Sequence, residues 1–165
     1  MAVNHLEQLV AEWYEYNGYF VKKNVLVGKR QKGGYECELD IVAFNPKTKK
    51  LVQIEPSLDA HSWEKREARF EKKFKAGKKY IPDLFKGVDL PTEIEQIALL
   101  VFASKINKKE IAGGRIMLVD ELLKQIVASL SGKRIEKEAV PEQYSLLRMI
   151  QFITHFKGKI WGETK

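Results

Sequence analysis

The run ELDIVAFNPKTKKLVQIEPS, Glu38 to Ser57, leaves a chain few ways to fold. Two stretches rich in Ile, Val, Leu and Phe flank the polar NPKTKK, which reads as two β-strands joined by a turn. Each stretch carries an acid: Asp40 stands beside Ile41 and Val42, and Glu55 follows Val52 and Ile54. Burying an unpaired carboxylate costs several kcal/mol. The spacing alone leaves three arrangements open: the acids reach water at strand ends, pair with neighbouring Lys or Arg, or share a cation.

The flanking sequence builds an α/β order around this hairpin. Over residues 4–17, Leu6, Leu9, Val10, Trp13 and Tyr14 recur at helical spacing, Asn4 and Glu7 form a capping arrangement, and Asn17-Gly18 ends the run. Residues 19–27 are rich in β-formers, and GKRQKGG (28–34) is a basic, glycine-punctuated hairpin loop. Strands over 35–44 and 51–57 follow. HSWEKREARFEKKFKAGKKY (61–80) reads as a long charged helix with one apolar seam through Trp63, Phe70 and Phe74. Residues 81–92, with Pro82 and Pro91 as breakers, read as a connection. The apolar end of 93–104 suits a strand buried on both faces. Arg115 to Val119 suggests a short strand running into a helix N-capped near Asp120, and Pro141 opens an amphipathic helix over 141–156. The charged tail beyond it is expected to be partly disordered. With no internal repeat, the expectation is one α/β domain over 1–165. Its core spans about 4–130, a mixed sheet of four or five strands flanked by helices.

Charge and composition narrow the partners. Lys and Arg number 29 against 22 acids, a formal charge of +7, which favours a polyanion. No apolar run is long enough to span a bilayer, and MAVNHLEQLV lacks the layout of a signal peptide, so a cytoplasmic protein without a membrane partner is expected. The single Cys37 rules out an internal disulfide framework and a Cys-rich zinc site, and His5, His61 and His155 are not spaced as a ligand set.

Two acids at adjacent strand ends, on one side of a sheet, can hold Mg²⁺ with waters and a substrate phosphate. The chain carries more of such a pattern. Glu7, then Gly18-Tyr19, then Glu38-Leu39-Asp40-Ile41-Val42-Ala43, a turn, and Leu51-Val52-Gln53-Ile54-Glu55-Pro56-Ser57 resemble the PD-(D/E)XK nuclease superfamily over roughly residues 4–75. The nearest members are Mrr-type and Holliday-junction-resolvase-like enzymes. The resemblance implies a restriction endonuclease-like αβββαβ core and metal-dependent hydrolysis of DNA phosphodiester bonds, with Mg²⁺ or Mn²⁺ as cofactor. It implies Asp40 and Glu55 as metal-binding carboxylates, the carbonyl of Pro56 as a further ligand, and Glu7 as the helix glutamate that reaches the site.

One position departs from that pattern. The motif lysine is replaced by Ser57, which carries no positive charge. A basic residue of the following helix can supply the charge; Arg66 and Lys73 flank Phe70 on the buried seam, and Lys73 is the preferred substitute. Alternatively, the serine hydroxyl holds a water and a second metal takes over, or the fold binds without cutting. Two functions therefore stand side by side: a Mg²⁺-dependent endodeoxyribonuclease, and a degenerate nuclease-fold domain that binds DNA or a protein partner. DNA contacts are expected from the hairpin cations Lys22, Lys23, Lys29, Arg30 and Lys32, with Arg66 and Arg69 from the helix. The rest of that helix reads as a solvated face. The helix over 141–156 either closes the core or offers a face for a homodimer.

Overall fold

The computed structural model describes residues 4–103 and 108–162. Ser104, at the end of the expected 93–104 strand, and the last three residues of the tail lie outside that range. Helix α1, His5–Tyr16, begins where the Asn4 side chain accepts the Leu6 and Glu7 backbone N–H groups. Strands β1 (Phe20–Lys29), β2 (Tyr35–Asn45) and β3 (Lys50–Ser57) follow as an antiparallel meander. Helix α2, Trp63–Leu84, crosses to β4 (Glu95–Leu100), which pairs parallel with β3. The hairpin β5 (Glu110–Ile111) and β6 (Gly114–Leu118) comes next, with β6 parallel to β4. Helices α3 (Val119–Leu130), α4 (Ser145–His155) and α5 (Lys157–Trp161) complete the described chain. The result is a mixed α/β fold with a six-stranded sheet of order β1-β2-β3-β4-β6-β5.

Strand alternation divides the core between two faces. Ile41, Ala43, Val52, Ile54, Ile97 and Leu99 pack with α1, α3 and α4 through Leu9, Val10, Leu122, Ile126 and Leu147. The opposite face carries Val42, Phe44, Leu51, Ala98 and Leu100, covered by Phe70, Phe74, Ala76 and Ile81 of α2. Asp40 and Glu55 share the α2 side with Val42 and Leu51, where Lys73 of α2 reaches both.

The structure revises several expected boundaries. Helix α2 runs through Pro82 to Leu84 instead of ending near Tyr80. Proline removes one backbone bond close to the helix end, while the fully buried Ile81 anchors the last turn. The sheet has six strands because Ala112 and Gly113, both with positive φ, close the β5–β6 hairpin. A strand of two residues has no periodicity to read. β4 stops at Leu100, where the Val101 N–H turns to the Ser57 carbonyl. α3 starts at Val119, and Glu121 accepts the Leu118 N–H at 2.8 Å; the expected cap near Asp120 lies inside the helix. The tail, expected to be partly disordered, is helical over Lys157–Trp161. No helix among the described residues is long and apolar enough to cross a membrane.

The start of α4 shows a cap supplied from far along the chain. Pro141 lies in the turn ahead of it, and no side chain of its own first turn caps it. Glu12 of α1 does so instead: its Oε2 accepts the Leu146 and Leu147 N–H groups at 2.9 and 3.0 Å, and the residue is buried. Replacing Glu12 with Ala strands those two donors and is expected to destabilise the fold by about 2–3 kcal/mol in urea denaturation. An unchanged midpoint would show that water satisfies this helix end.

Candidate functional site

The β2–β3 ladder ends at the pair Ile41↔Ile54, one residue short of Asp40 and Glu55. Continued by one step, the register sets these two acids opposite each other. The Glu55 carboxylate instead reaches the Asp40 backbone, whose N–H donates to Oε2 at 3.4 Å. Across β1, the neighbouring Asn24 has a positive φ of 52°, so the backbone is irregular on both sides of Asp40.

Lys73 stands over this gap. Its Nζ donates to Asp40 Oδ1 at 2.5 Å and to Glu55 Oε2 at 2.6 Å. One ammonium therefore bridges the two carboxylates, with Glu55 only 1% exposed and Asp40 14%. Burial, helped by the adjacent Asp40 charge, pushes the Glu55 carboxyl up to about 8 against the opposing pull of Lys73. For Lys73 burial pulls the other way, but the Glu55 and Asp40 carboxylates outweigh it and hold the ammonium above its ordinary value. The site is thus two acids that repel each other in a dry place, held together by a cation.

The other expected site residues take different positions. Ser57 is buried, and its hydroxyl donates to Asp59 Oδ2 at 2.6 Å, so it is committed to a neighbouring loop instead of the carboxylate pair. Asp59 also accepts from the His61 N–H, Arg66 and Arg69. Burial works against its charge, but the Ser57 hydroxyl, the His61 N–H and the two guanidinium groups hold its carboxyl well below the usual range. Arg66, expected on the DNA surface, is 4% exposed and donates to Asp59 and to the Phe102 carbonyl. It braces the loops after β3 and β4 instead of facing solvent. Arg69 is half-exposed, shares Asp59, and lies over the Phe70 ring.

Glu7 does not join Asp40 and Glu55 as a third ligand. Its carboxylate accepts from Asn4 Nδ2 at 2.6 Å, within the cap of its own helix. Burial and then the Asp40 charge raise its carboxyl, so the two acids sense each other without sharing a partner. Among the described residues no three of His, Cys, Asp and Glu converge to hold a metal. The two carboxylates remain. Both are hard oxygen donors aimed at one cation, and Mg²⁺ or Mn²⁺ is commonly held by one or two carboxylates with water and phosphate. In that sense the donor chemistry fits. The Pro56 residue continues β3 opposite Leu99 of β4.

The basic hairpin is divided by strand alternation. Lys22 lies over the Phe85 ring on the α2 side, whereas Lys23 lines a cleft with Glu7, Gln8 and Glu38. Lys29 and Lys32 are exposed at the tip. Arg30 meets Lys72, Lys75 and Lys79 of α2 around a cleft of about 360 Å³ that also includes Glu36 and Cys37. Lys75 pairs with Glu71 and Lys79 with Glu36. The sequence of this helix reads as a solvated face, and its share of the cleft arises only where the hairpin lies against it.

Sequence reading also passed over Gln53 and Gln96. Both are buried, and Gln53 Nε2 donates to Glu55 Oε1 at 2.8 Å. Their signal was present: each is an amide inside an apolar strand.

Fold and site together define a mixed α/β protein with a partly buried Asp–Lys–Glu cluster where the β2–β3 ladder ends. Compared with known proteins, the chain matches no family model, no curated protein and no solved structure.

Proposed function

We propose that the chain is a metal-dependent DNA phosphodiesterase of the PD-(D/E)XK type, with Asp40, Glu55 and Lys73 as its catalytic set. The single observation that carries this reading is the Lys73 ammonium bridging Asp40 and Glu55. The pattern's lysine follows its glutamate on the strand; here a lysine from α2 reaches the same acids, which accounts for Ser57. The element order α1-β1-β2-β3-α2-β4 supports the restriction endonuclease-like αβββαβ core that the motifs imply.

In this reading Asp40 and Glu55, the two carboxylates that Lys73 bridges, would hold Mg²⁺ or Mn²⁺. A bound cation supplies charge neutralisation at the phosphate and a more acidic water. Lys73, released from the pair, sets its ammonium beside the phosphate, where negative charge grows during attack. Water oxygen bonds to phosphorus and gives up a proton to solvent, the bond to the leaving oxygen breaks, and that oxygen takes up a proton from solvent. Lys29, Arg30 and Lys32, with Lys72 on α2, offer cations to the DNA backbone.

One observation favours the second reading, a domain that binds without cutting. Ser57 and Arg66 are both committed to Asp59, so neither can replace Lys73 if that ammonium stays bound to the acids.

The test uses the purified chain with duplex, branched and single-stranded DNA in Mg²⁺, Mn²⁺ or EDTA. Cutting only with metal is the expected result. DNA binding equal in metal and EDTA, without cutting, selects the second reading. Binding itself should weaken on the order of a hundredfold between about 50 and about 200 mM salt if four phosphates are contacted. No salt-sensitive binding overturns both.

A further inference from the structure

The geometry points to Gln53 and Gln96 as positioning residues: a buried amide clamp that fixes α2 to the sheet and thereby sets Lys73 over Asp40 and Glu55. Gln96 Nε2 donates to Gln53 Oε1 at 2.7 Å and to the Phe74 carbonyl at 2.8 Å. Gln53 Nε2 donates to Glu55 Oε1 at 2.8 Å and to the Lys73 carbonyl at 3.1 Å. Two adjacent carbonyls inside α2 thus accept side-chain donors from two adjacent strands. The same Gln53 amide holds one oxygen of Glu55 while Lys73 holds the other.

Burial makes this arrangement more than incidental. Gln53 is 0% exposed and Gln96 5%, and every buried side-chain N or O among the described residues has a partner. An amide pair in such a place is retained only when its donors and acceptors are matched. α2 is also shaped to receive it. A Cβ on Gly77 would come within 1.8 Å of Gln53 Oε1, so glycine at this position lets the amide lie against the helix. Gly77, Gln53 and Gln96 therefore form one fitted contact, one turn from Lys73.

The consequence concerns placement alone. Lysine has a long flexible stem, and its ammonium reaches both acids only if the helix backbone stays at a fixed distance from the strands. Gln53 holds that distance at the Lys73 carbonyl and at the same time orients the Glu55 carboxylate. Neither glutamine touches a reacting atom. Outer partners of this kind typically alter metal affinity or activity by about 10–100-fold when removed.

The experiment compares the full chain with Gln53→Leu, Gln96→Leu, Lys73→Met and the Gln53→Leu/Lys73→Met pair. Nitrogen-15 NMR of the lysine ammonium groups, without metal, reads Lys73 directly and does not depend on nuclease activity. Gln53→Leu should shift the Lys73 ammonium signal toward that of free lysine and weaken Mn²⁺ binding by about tenfold. Its cleavage defect should lie in kcat more than KM and should largely vanish in the Lys73→Met background. A folded Gln53→Leu protein with the wild-type ammonium signal and Mn²⁺ affinity overturns the clamp. If Gln53→Leu does not fold, Gln96→Leu decides, with a smaller shift expected and an unchanged ammonium signal overturning the proposal. The cleavage and Mn²⁺ arms rest on the nuclease reading; a wild-type chain that binds no Mn²⁺ counts against that reading, and the ammonium signal then judges the clamp alone.

Discussion

Asp40→Asn is expected, on the proposed nuclease reading, to lower metal-dependent DNA cleavage by at least about 10²–10³-fold, the range for removing a single electrostatic stabiliser, while the fold stays intact. The substitution keeps shape and removes one of the two charges that a divalent cation would need. Lys73 still has Glu55 at 2.6 Å, so α2 keeps its anchor. Folding should therefore be spared. Glu55 is also relieved of a repelling neighbour, because the Asp40 charge helps hold its carboxyl above the ordinary value. The measurements are cleavage under single-turnover conditions, Mn²⁺ binding by electron paramagnetic resonance, and thermal unfolding in EDTA. Wild-type cleavage by a folded Asp40→Asn protein removes Asp40 from the catalytic set and the PD-(D/E)XK reading with it.

Lys73→Met is expected to have the second large effect, and pH should reveal it. In the folded chain Glu55 is raised from 4.5 to about 8, with burial as the leading cause. A carboxyl raised on folding contributes stability that is complete below its unfolded value and is lost as pH climbs through the folded one. In EDTA the wild-type protein should therefore lose stability from Glu55 between about pH 4.5 and about pH 8. Lys73 has the opposite effect on Glu55, favouring its charged form, and its own raised ammonium contributes until pH passes above its folded value. Removing Lys73 leaves Glu55 and Asp40 without a counter-charge, and Glu55 should then keep its proton to higher pH. The variant is expected to be less stable than wild type in urea denaturation already near about pH 5, where the contact to Asp40 is lost, and to fall further behind, by about 3–5 kcal/mol in all, near about pH 9, the cost of breaking a buried ion pair. A difference independent of pH would mean that Lys73 contributes packing alone. Cleavage should drop by about 10²-fold at every pH where the variant is folded.

What the sequence determined lies close along the chain. The spacing of Leu6, Leu9, Val10 and Trp13 with Asn4 at the cap sets α1, and the polar turn between two apolar runs sets the β2–β3 hairpin. These features depend on neighbours within a few residues, whose geometry the backbone period fixes. The same hairpin shows two acids in apolar runs, but the register that sets Asp40 beside Glu55 is read only from the folded sheet.

Tertiary structure decided between Arg66 and Lys73. Both flank Phe70 on the same seam, and no local pattern separates them. Docking of α2 carries Arg66 to Asp59 and the Phe102 carbonyl, and Lys73, two turns later, to Asp40 and Glu55. The same holds for Glu12 at the start of α4 and for the Gln53–Gln96 contact with α2. A buried polar side chain is tolerated only where a partner awaits it, and in these last contacts the partner stands from 20 to 135 residues away in sequence. The residue type announces the need for a partner, but only the packed helix and sheet supply one.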